Sequence, residues 1–325
     1  MNITNLHCID LDQPALEGFR RFISSWLIQE PMFTALIDPG PLSTIPLLVN
    51  ALRKKGVDKL DYILLTHIHI DHAGGTGELL KYFPAAQVIC HPDGIHHMVS
   101  PEKLWQGSKQ VLGEMAEAYG EIIPLPADKI SYVEHVGNTG IRVYKTPGHA
   151  AHHMCFMYDD LLLGGEVCGV HSEIAHGIYM RPATPPRFIL NVAIESIDRM
   201  IALQPRYMVI GHHGLVEPAI DYLNIGRKQL NLWVQAIAVT ANSANDAREQ
   251  AIFDWLITHD EIFKNIDQLD ADIYARERYF MGNSLRGMIG YFDSLTAQQQ
   301  KKCVSANFST IVDELATPME RVFVP

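Results

Sequence analysis

Histidine and aspartate residues are concentrated in one short segment, Thr66–His72, in the order His-x-His-x-Asp-His. The apolar run Tyr62–Leu65 leads into this segment and is rich in strand-forming residues, which predicts a buried strand that ends at the cluster. In α/β folds, ligands bind at the carboxyl ends of strands. Because alternate residues of a strand share a face, we expect His67 and His69 to point the same way and to hold one metal ion. Imidazole and carboxylate groups are ligands for zinc and similar divalent metals.

Asp71 and His72 are adjacent, so the chain has to turn there before both side chains can serve a second ion. Sixteen of the 325 residues are histidine. At that frequency, the chance occurrence of the whole pattern has odds of roughly one in several hundred. The pattern therefore indicates a metal site rather than an ordinary polar loop.

Three further apolar strands are each predicted to end in a residue that can bind a metal. These residues are His149 after the alternating segment 141–145, Glu166 after segment 161–163 and His212 after segment 207–210. A lone histidine at a strand end is usually a polar cap. Four strand ends with complementary donor types favour one shared metal site.

The order of the predicted elements indicates an α/β fold. Strands and helices alternate up to residue 216, which predicts two sheets covered by helices. Strands are predicted at 22–29, 33–37, 62–65, 86–90, 130–144, 154–158, 161–163 and 207–210, and helices at 43–55, 78–83, 95–120 and 187–203. Segment 167–186 is predicted to be a loop. The pattern after residue 217 is helical, so we expect a catalytic domain at 1–216 and a helical C-terminal region at 217–325.

Composition excludes several classes of function. The formal net charge is −11 and no long basic run occurs, which argues against nucleic acid and anionic membrane surfaces as partners. No apolar run reaches the roughly 18 residues of a membrane span. The N-terminal segment lacks signal-peptide features, and five scattered cysteines fit reduced thiols. We expect a cytoplasmic protein with a small-molecule substrate, and the assembly state, including a homodimer, is left open.

The segments Thr66–His72, Thr146–His149, Gly164–Glu166 and Ile210–Gly214 resemble, in order and type, the metal-binding motifs of the metallo-β-lactamase superfamily. The resemblance extends over about residues 20–216. It implies an αββα sandwich with a two-metal site at one edge of the sheets and a helical C-terminal extension. The run Thr-Pro-Gly-His-Ala-Ala-His-His that begins at Thr146 looks most like the glyoxalase II-like and lactonase-like branch.

The resemblance also implies a ligand set. Metal one would be held by His67, His69 and His149, and metal two by Asp71, His72 and His212, with Glu166 as the bridging residue. Zinc is the expected metal, with iron or manganese as alternatives.

Two departures from the family pattern matter. The family's bridging residue is normally Asp, so whether Glu166 bridges both ions is left open. Quorum-quenching lactonases carry a Tyr three residues after the bridge, where this chain has Gly169, and this weighs against a lactonase.

These features predict a binuclear metallohydrolase that uses a metal-bound hydroxide on a small ester, thioester or lactone. Asp71 is expected to orient the nucleophile and to pass the proton to the leaving group. The alternative is an iron-dependent oxidoreductase of the same fold, similar to a persulfide dioxygenase.

Other histidines near the motifs have open roles. His153 is expected to be a neighbour that orients a ligand, and His212 rather than His213 is expected to bind metal. His171 and His176 follow Glu166 in the chain and are candidates for the pocket lining.

Overall fold

A computed structural model describes residues 3–244 and 247–304 of the chain. The chain divides into two compact units whose segments alternate along the sequence. The first unit takes its residues from Met1–Lys145, His152–Gly165 and Arg206–Val216, and the second from Thr146–Ala151, Glu166–Pro205 and Glu217–Pro325. The boundary predicted after residue 216 coincides with the last of these crossings, and the separation of 1–216 from 217–325 as domains stays a prediction.

The strands are numbered in chain order. They are β1 (Leu6–Asp10), β2 (Ser24–Glu30), β3 (Phe33–Ile37), β4 (Tyr62–Leu64), β5 (Gln87–Ile89), β6 (Ile130–Ser131), β7 (Arg142–Lys145), β8 (Met154–Tyr158), β9 (Leu161–Leu163), β10 (Val170–Ile174), β11 (Gly177–Arg181), β12 (Tyr207–Val209) and β13 (Leu215–Val216).

The helices are numbered in the same way. They are α1 (Ile45–Lys54), α2 (Ile70–Ala73), α3 (Thr76–Tyr82), α4 (Pro92–Val99), α5 (Glu102–Leu112), α6 (Glu114–Tyr119), α7 (Leu190–Ala202), α8 (Ala219–Val239), α9 (Arg248–His259), α10 (Ala271–Ser294) and α11 (Ala297–Val304). Short 3₁₀ helices cover Ile3–Asn5, Leu42–Thr44 and Phe263–Gln268.

The first unit contains two sheets. Strands β1 to β6 form a six-stranded sheet in chain order, antiparallel from β1 to β3 and parallel from β3 to β6. The parallel pairs are joined through helices, as crossover connections require. The second sheet has the order β13-β12-β9-β8-β7, with β12 parallel to β9. The predicted pair of sheets in an α/β fold is therefore confirmed.

One apolar core joins the two sheets of the first unit. Ile37, Leu64 and Ile89 come from neighbouring parallel strands of the first sheet, and Leu163 and Val209 come from the parallel pair of the second. All five side chains are buried. Burying each such side chain contributes about 1.5–3 kcal/mol. The core therefore fixes the strand ends from which the polar loops of the candidate site begin.

The second unit consists of the β10–β11 hairpin and helices α7 to α11. The prediction that 167–186 is a loop is wrong, because Val170–Ile174 and Gly177–Arg181 pair in antiparallel register. The segment mixes polar and apolar residues without a clear alternation. Its stability comes from contacts distant in sequence, such as the Tyr179 ring 6.0 Å from that of Phe263.

Two smaller differences concern strands. Strand β1 was not expected. The predicted strand 130–144 is instead two short strands, β6 and β7, with turns between them. A single bridge pairs His135 with Arg142, the first residue of β7. The helical pattern expected after residue 217 is confirmed by α8, α9 and α10. Within the described residues, no helix is both long and apolar enough to cross a bilayer.

Candidate metal centre

The loop after β4 carries the densest group of histidines in the first unit. Strand β4 ends at Leu64, so His67 and His69 lie in the following loop, and the expected strand alternation does not place them. Their rings nevertheless lie 4.6 Å apart at 88° to one another. The short helix α2 then turns the chain at Asp71 and His72, as the adjacency of these two residues requires.

Three donor atoms converge beside this turn. The Nε2 atoms of His72 and His212 are 3.2 Å apart, and Asp71 Oδ2 lies 3.5 Å from each of them. His72 and His212 are buried, and the Asp71 side chain is 18% exposed. Gly211 makes the approach possible, because a Cβ at this position would lie 2.8 Å from His72 Cε1.

The hydrogen-bond partners of the two imidazoles define their tautomers. His72 Nδ1 faces Asp38 Oδ2 at 3.2 Å, and His212 Nδ1 faces the carbonyl oxygen of Phe22 at 3.3 Å. Carboxylate and carbonyl oxygens accept hydrogen bonds, so each Nδ1 carries the hydrogen and each Nε2 presents a lone pair. Two lone pairs and a carboxylate oxygen thus point at one another, which is an arrangement that a cation stabilises.

The size of this arrangement fits a transition metal. A point equidistant from the three donor atoms lies about 2.0 Å from each, within the range of about 2.0–2.2 Å for zinc bound to nitrogen or oxygen. Three protein ligands are also the number found in catalytic zinc sites, which keep a fourth position for water or substrate. The donor set of Asp71, His72 and His212 therefore fits a divalent metal ion.

Asp38 holds the nitrogen of His72 that faces away from the other donors. This residue was not identified from the sequence. It is buried, follows β3 directly and has a left-handed backbone with φ of 47°. Its carboxylate accepts three hydrogen bonds, from Thr66 N–H at 2.8 Å, Thr66 Oγ1 at 2.6 Å and His72 Nδ1 at 3.2 Å. A buried acid at the end of a strand that neighbours β4 is the signal that could have identified it.

The same network orients His67. Thr66 Oγ1 donates its one hydrogen to Asp38, so it accepts a hydrogen bond from His67 Nδ1, 3.0 Å away. His67 Nε2 is then the nitrogen with the lone pair. Asp38, His67 and His72 also place one donor atom each within 4.8 Å of one another. Because the contacts of Asp38 with this group are hydrogen bonds, we interpret it as a residue that orients ligands.

In the second unit, His149 and Glu166 form a pair. His149 Nε2 lies 3.0 Å from Glu166 Oε2, and His149 Nδ1 lies 2.8 Å from the carbonyl oxygen of Ala183. The carbonyl accepts the Nδ1 hydrogen, so Nε2 is the nitrogen that faces the Glu166 carboxylate, and in the neutral imidazole it presents a lone pair there. Both side chains are largely buried. A cation at this pair would be stabilised by both the Nε2 lone pair and the carboxylate, which otherwise repel each other.

The sequence profile of the metallo-beta-lactamase superfamily matches residues 18–212, which is more than half of the chain. The chain belongs to the metallo-β-lactamase superfamily. Its two-sheet α/β architecture with a helical C-terminal region agrees with the αββα fold that the sequence motifs implied.

Relatives within this superfamily differ in how much of each chain is matched. A metallo-beta-lactamase fold-containing protein of Sulfurisphaera tokodaii is 37% identical over 174 residues, which cover 50% of this chain and 64% of the relative. The crystal structure of an archaeal superfamily protein from Sulfolobus tokodaii has a TM-score of 0.65 at 28% identity, covering 87% of this chain and 98% of that one. A probable hydroxyacylglutathione hydrolase of Schizosaccharomyces pombe is 32% identical over 124 residues, 38% of each protein. The sequence matches to both curated relatives thus span less than two thirds of the relatives' lengths.

One departure from the superfamily's lactonases has a local cause in this chain. Gly169 has φ of 99°, and a Cβ there would lie 2.1 Å from the carbonyl oxygen of Arg181 on β11. A tyrosine at this position would require the turn after Glu166 to separate from the hairpin. The hairpin therefore accounts for the glycine.

Four further histidines that follow or lie near the motifs take different positions. His153 is buried with its ring 5.5 Å from that of His67, whereas His213 faces Arg21 through Nε2 at 3.2 Å. In the second unit, His171 is buried 5.5 Å from the ring of Tyr222, and His176 is exposed in the hairpin turn.

Cys168 lies in the second unit, two residues after Glu166. Complete burial raises the pKa of its thiol to about 12, so the thiol stays protonated at neutral pH. It is therefore a packing residue rather than a nucleophile.

Proposed function

We propose that this superfamily member is a binuclear metallohydrolase that cleaves a small acyl ester or thioester. The observation that carries the proposal is the convergence of the His72 and His212 lone pairs on the Asp71 carboxylate, with both histidine tautomers held by acceptors. An arrangement of this kind is unfavourable without a cation. The superfamily's motif order supplies the rest of the proposed ligand set.

In this proposal one ion would be held by His67, His69 and His149 and the other by Asp71, His72 and His212, with Glu166 as the proposed shared ligand. Bound divalent ions supply a hydroxide nucleophile at neutral pH and polarise the acyl carbonyl. The Asp71 carboxylate would orient that nucleophile and would pass its proton to the leaving group. Asp38 and Thr66 keep the Nδ1 hydrogens of His72 and His67 in place, so that the Nε2 atoms stay available as ligands.

A thioester is the favoured substrate class. The yeast relative bears the name hydroxyacylglutathione hydrolase, and a hydroxyacylglutathione is an acyl thioester. The tight turn at Gly169 has no room for the tyrosine of the lactonase pattern, so lactones are the less favoured substrates. A chelated and metal-reconstituted protein tested on matched acyl esters, thioesters and lactones checks this order.

We expect turnover with zinc, iron or manganese, fastest on thioesters, lost on chelation and restored by metal. Elemental analysis should give close to two ions per chain. A stable value of one ion, together with oxygen consumption on a persulfide and no hydrolysis, would replace the proposal with the iron-dependent oxidoreductase alternative. Turnover of lactones well above thioesters would overturn the substrate order alone.

A further inference from the structure

Beside the metal-ligand set of the first unit lies an arginine that none of the motifs explains. Arg21 lies between β1 and β2, shortly before β2 begins at Ser24. It has a left-handed backbone with φ of 46°, and its amide donates to Asp12 Oδ1 at 2.6 Å. Its side chain is 63% exposed. In a chain with net charge −11, a solvent-facing cation held in a defined backbone conformation next to a candidate site is a feature that calls for a function.

Two contacts place this arginine next to His212. The neighbouring residue, Phe22, stacks its ring on His212 at a centroid distance of 4.2 Å and accepts the His212 Nδ1 hydrogen at its carbonyl. The guanidinium itself contacts the next residue, because Arg21 Nη2 lies 3.2 Å from His213 Nε2. Phe22, which follows Arg21, thus contacts His212, which precedes His213. Arg21 therefore lies next to the residues that hold a candidate metal-binding histidine.

The guanidinium retains donors for a ligand. It has five N–H groups, and the contact with His213 engages one nitrogen. Arg21 Nε is 4.0 Å from Asp10 Oδ2, beyond hydrogen-bond distance, so Asp10 acts as a nearby counter-charge. Asp10 in turn accepts a hydrogen bond from Ser24 Oγ at 3.2 Å, which keeps this carboxylate in place.

We propose that Arg21 is a recognition residue for a carboxylate carried by the substrate outside its reacting acyl group. This inference rests on the proposed hydrolase function and names its substrate class. An arginine presents paired N–H groups that match a carboxylate. One cation with Asp10 and Asp12 close by suits a monoanion better than a doubly charged phosphate, because the repulsion from the two acids grows with the charge of the ligand.

A pair of thioesters that differ in one group tests the inference. The substrates are S-acetyl-3-mercaptopropionate and its primary amide, which has nearly the same shape without the charge. We expect the wild-type protein to favour the acid in kcat/KM by about fivefold, the upper end for an exposed ion pair. Arg21→Gln should abolish the preference through KM, and Arg21→Lys should retain part of it. The preference should decrease with added salt because the pair is exposed.

The matched control is Arg20→Gln, which removes the same charge one residue earlier at another exposed position. It should leave the preference for the acid unchanged. If Arg21→Gln slows both thioesters equally, or if Arg20→Gln has the same effect as Arg21→Gln, the carboxylate subsite is wrong.

A binding measurement separates this inference from the hydrolase proposal. Calorimetric titration with 3-(methylthio)propionate and its amide needs no turnover. The readout is the change in acid-over-amide preference between wild type and Arg21→Gln, because carboxylates also bind metal ions. A preference that is lost in Arg21→Gln, with no thioester cleaved, would reject the hydrolase and keep the subsite. An unchanged preference would reject the subsite whatever the protein hydrolyses.

Discussion

Both units orient a histidine donor with a backbone carbonyl, and the first unit also uses a charged acceptor. In the first unit, His72 Nδ1 faces the Asp38 carboxylate and His67 Nδ1 faces Thr66 Oγ1, whereas His212 Nδ1 faces the backbone carbonyl of Phe22. In the second, His149 Nδ1 is held by the backbone carbonyl of Ala183. A carboxylate acceptor raises the basicity of an imidazole ligand more than a neutral carbonyl does. The first unit therefore tunes its ligands with a charge that mutation can remove.

The units also differ in the number of donors. Asp71, His72 and His212 meet the three-ligand minimum of a catalytic metal site, whereas His149 and Glu166 are two. The first unit should consequently retain some metal affinity when the second is altered. The two donors of the second unit should not bind metal by themselves when the first is altered. Three sets of variants test this asymmetry.

The largest effect is expected from Asp71→Asn. The change removes the anionic member of the converging donors and the proposed proton carrier, and loss of such a group costs about 10²- to 10⁴-fold in rate. We expect kcat to fall at least about a hundredfold and elemental analysis to show one ion lost. Asp58→Asn, at an exposed position, should change neither. Full activity with two ions in Asp71→Asn would remove Asp71 from the centre.

A smaller effect is expected from the pair Glu166→Gln and Glu166→Asp. Gln keeps the size and removes the charge, and a carboxylate within 4 Å of a cation gains about 4 kcal/mol at an effective dielectric constant of 20, as an upper bound. One ion should then bind about a hundredfold more weakly. Glu166→Asp, the residue usual in the superfamily, should keep partial occupancy of both ions. Equal affinities for two ions in wild type and Glu166→Gln would show that Glu166 only lies near the metals.

The regions that sequence could predict are those in which a local pattern carries the information. Buried strands such as 161–163 and 207–209 are continuous apolar runs, and the polar donors directly follow them, so both strand ends and candidate ligands are visible in the sequence. The helices after residue 217 are long and periodic. The prediction for the hairpin β10–β11 failed because the side chains of these strands pack against residues far along the chain. The local sequence therefore shows no regular alternation.

Asp38 and Arg21 were missed for a different reason. Each has a left-handed backbone, and their functional contacts span long sequence distances, 28 residues from Asp38 to Thr66 and 192 from Arg21 to His213. An Asp-Pro-Gly run is a turn signal by its composition, so it concealed the buried acid. Residues that orient ligands become visible only when the strands that they follow are placed side by side.

The smallest of the three effects is expected from Asp38→Asn, and the chain provides a close control. Asp61 accepts a hydrogen bond from the N–H of Thr34 at 2.9 Å and lies 3.2 Å from its Oγ1, so it contacts a threonine as Asp38 does, and its other oxygen pairs with Lys59. Asp61, however, has no histidine among these partners. Both Asn variants therefore perturb an Asp–Thr pair, and only Asp38→Asn weakens the hold on a metal-binding imidazole.

Loss of a partner that orients a ligand typically costs about 10- to 100-fold in metal affinity. Because Asn keeps one carbonyl acceptor, we expect about a tenfold loss for Asp38→Asn, measured by competition with a chromophoric chelator. Asp61→Asn should bind metal as the wild type does. Thermal unfolding of the metal-free proteins supplies the second readout, since each variant weakens contacts between an aspartate and a threonine and should be less stable than the wild type. If the metal affinity of Asp38→Asn is unchanged while its stability falls with that of Asp61→Asn, Asp38 supports the fold alone, and the proposed difference between a charged and a backbone acceptor is wrong.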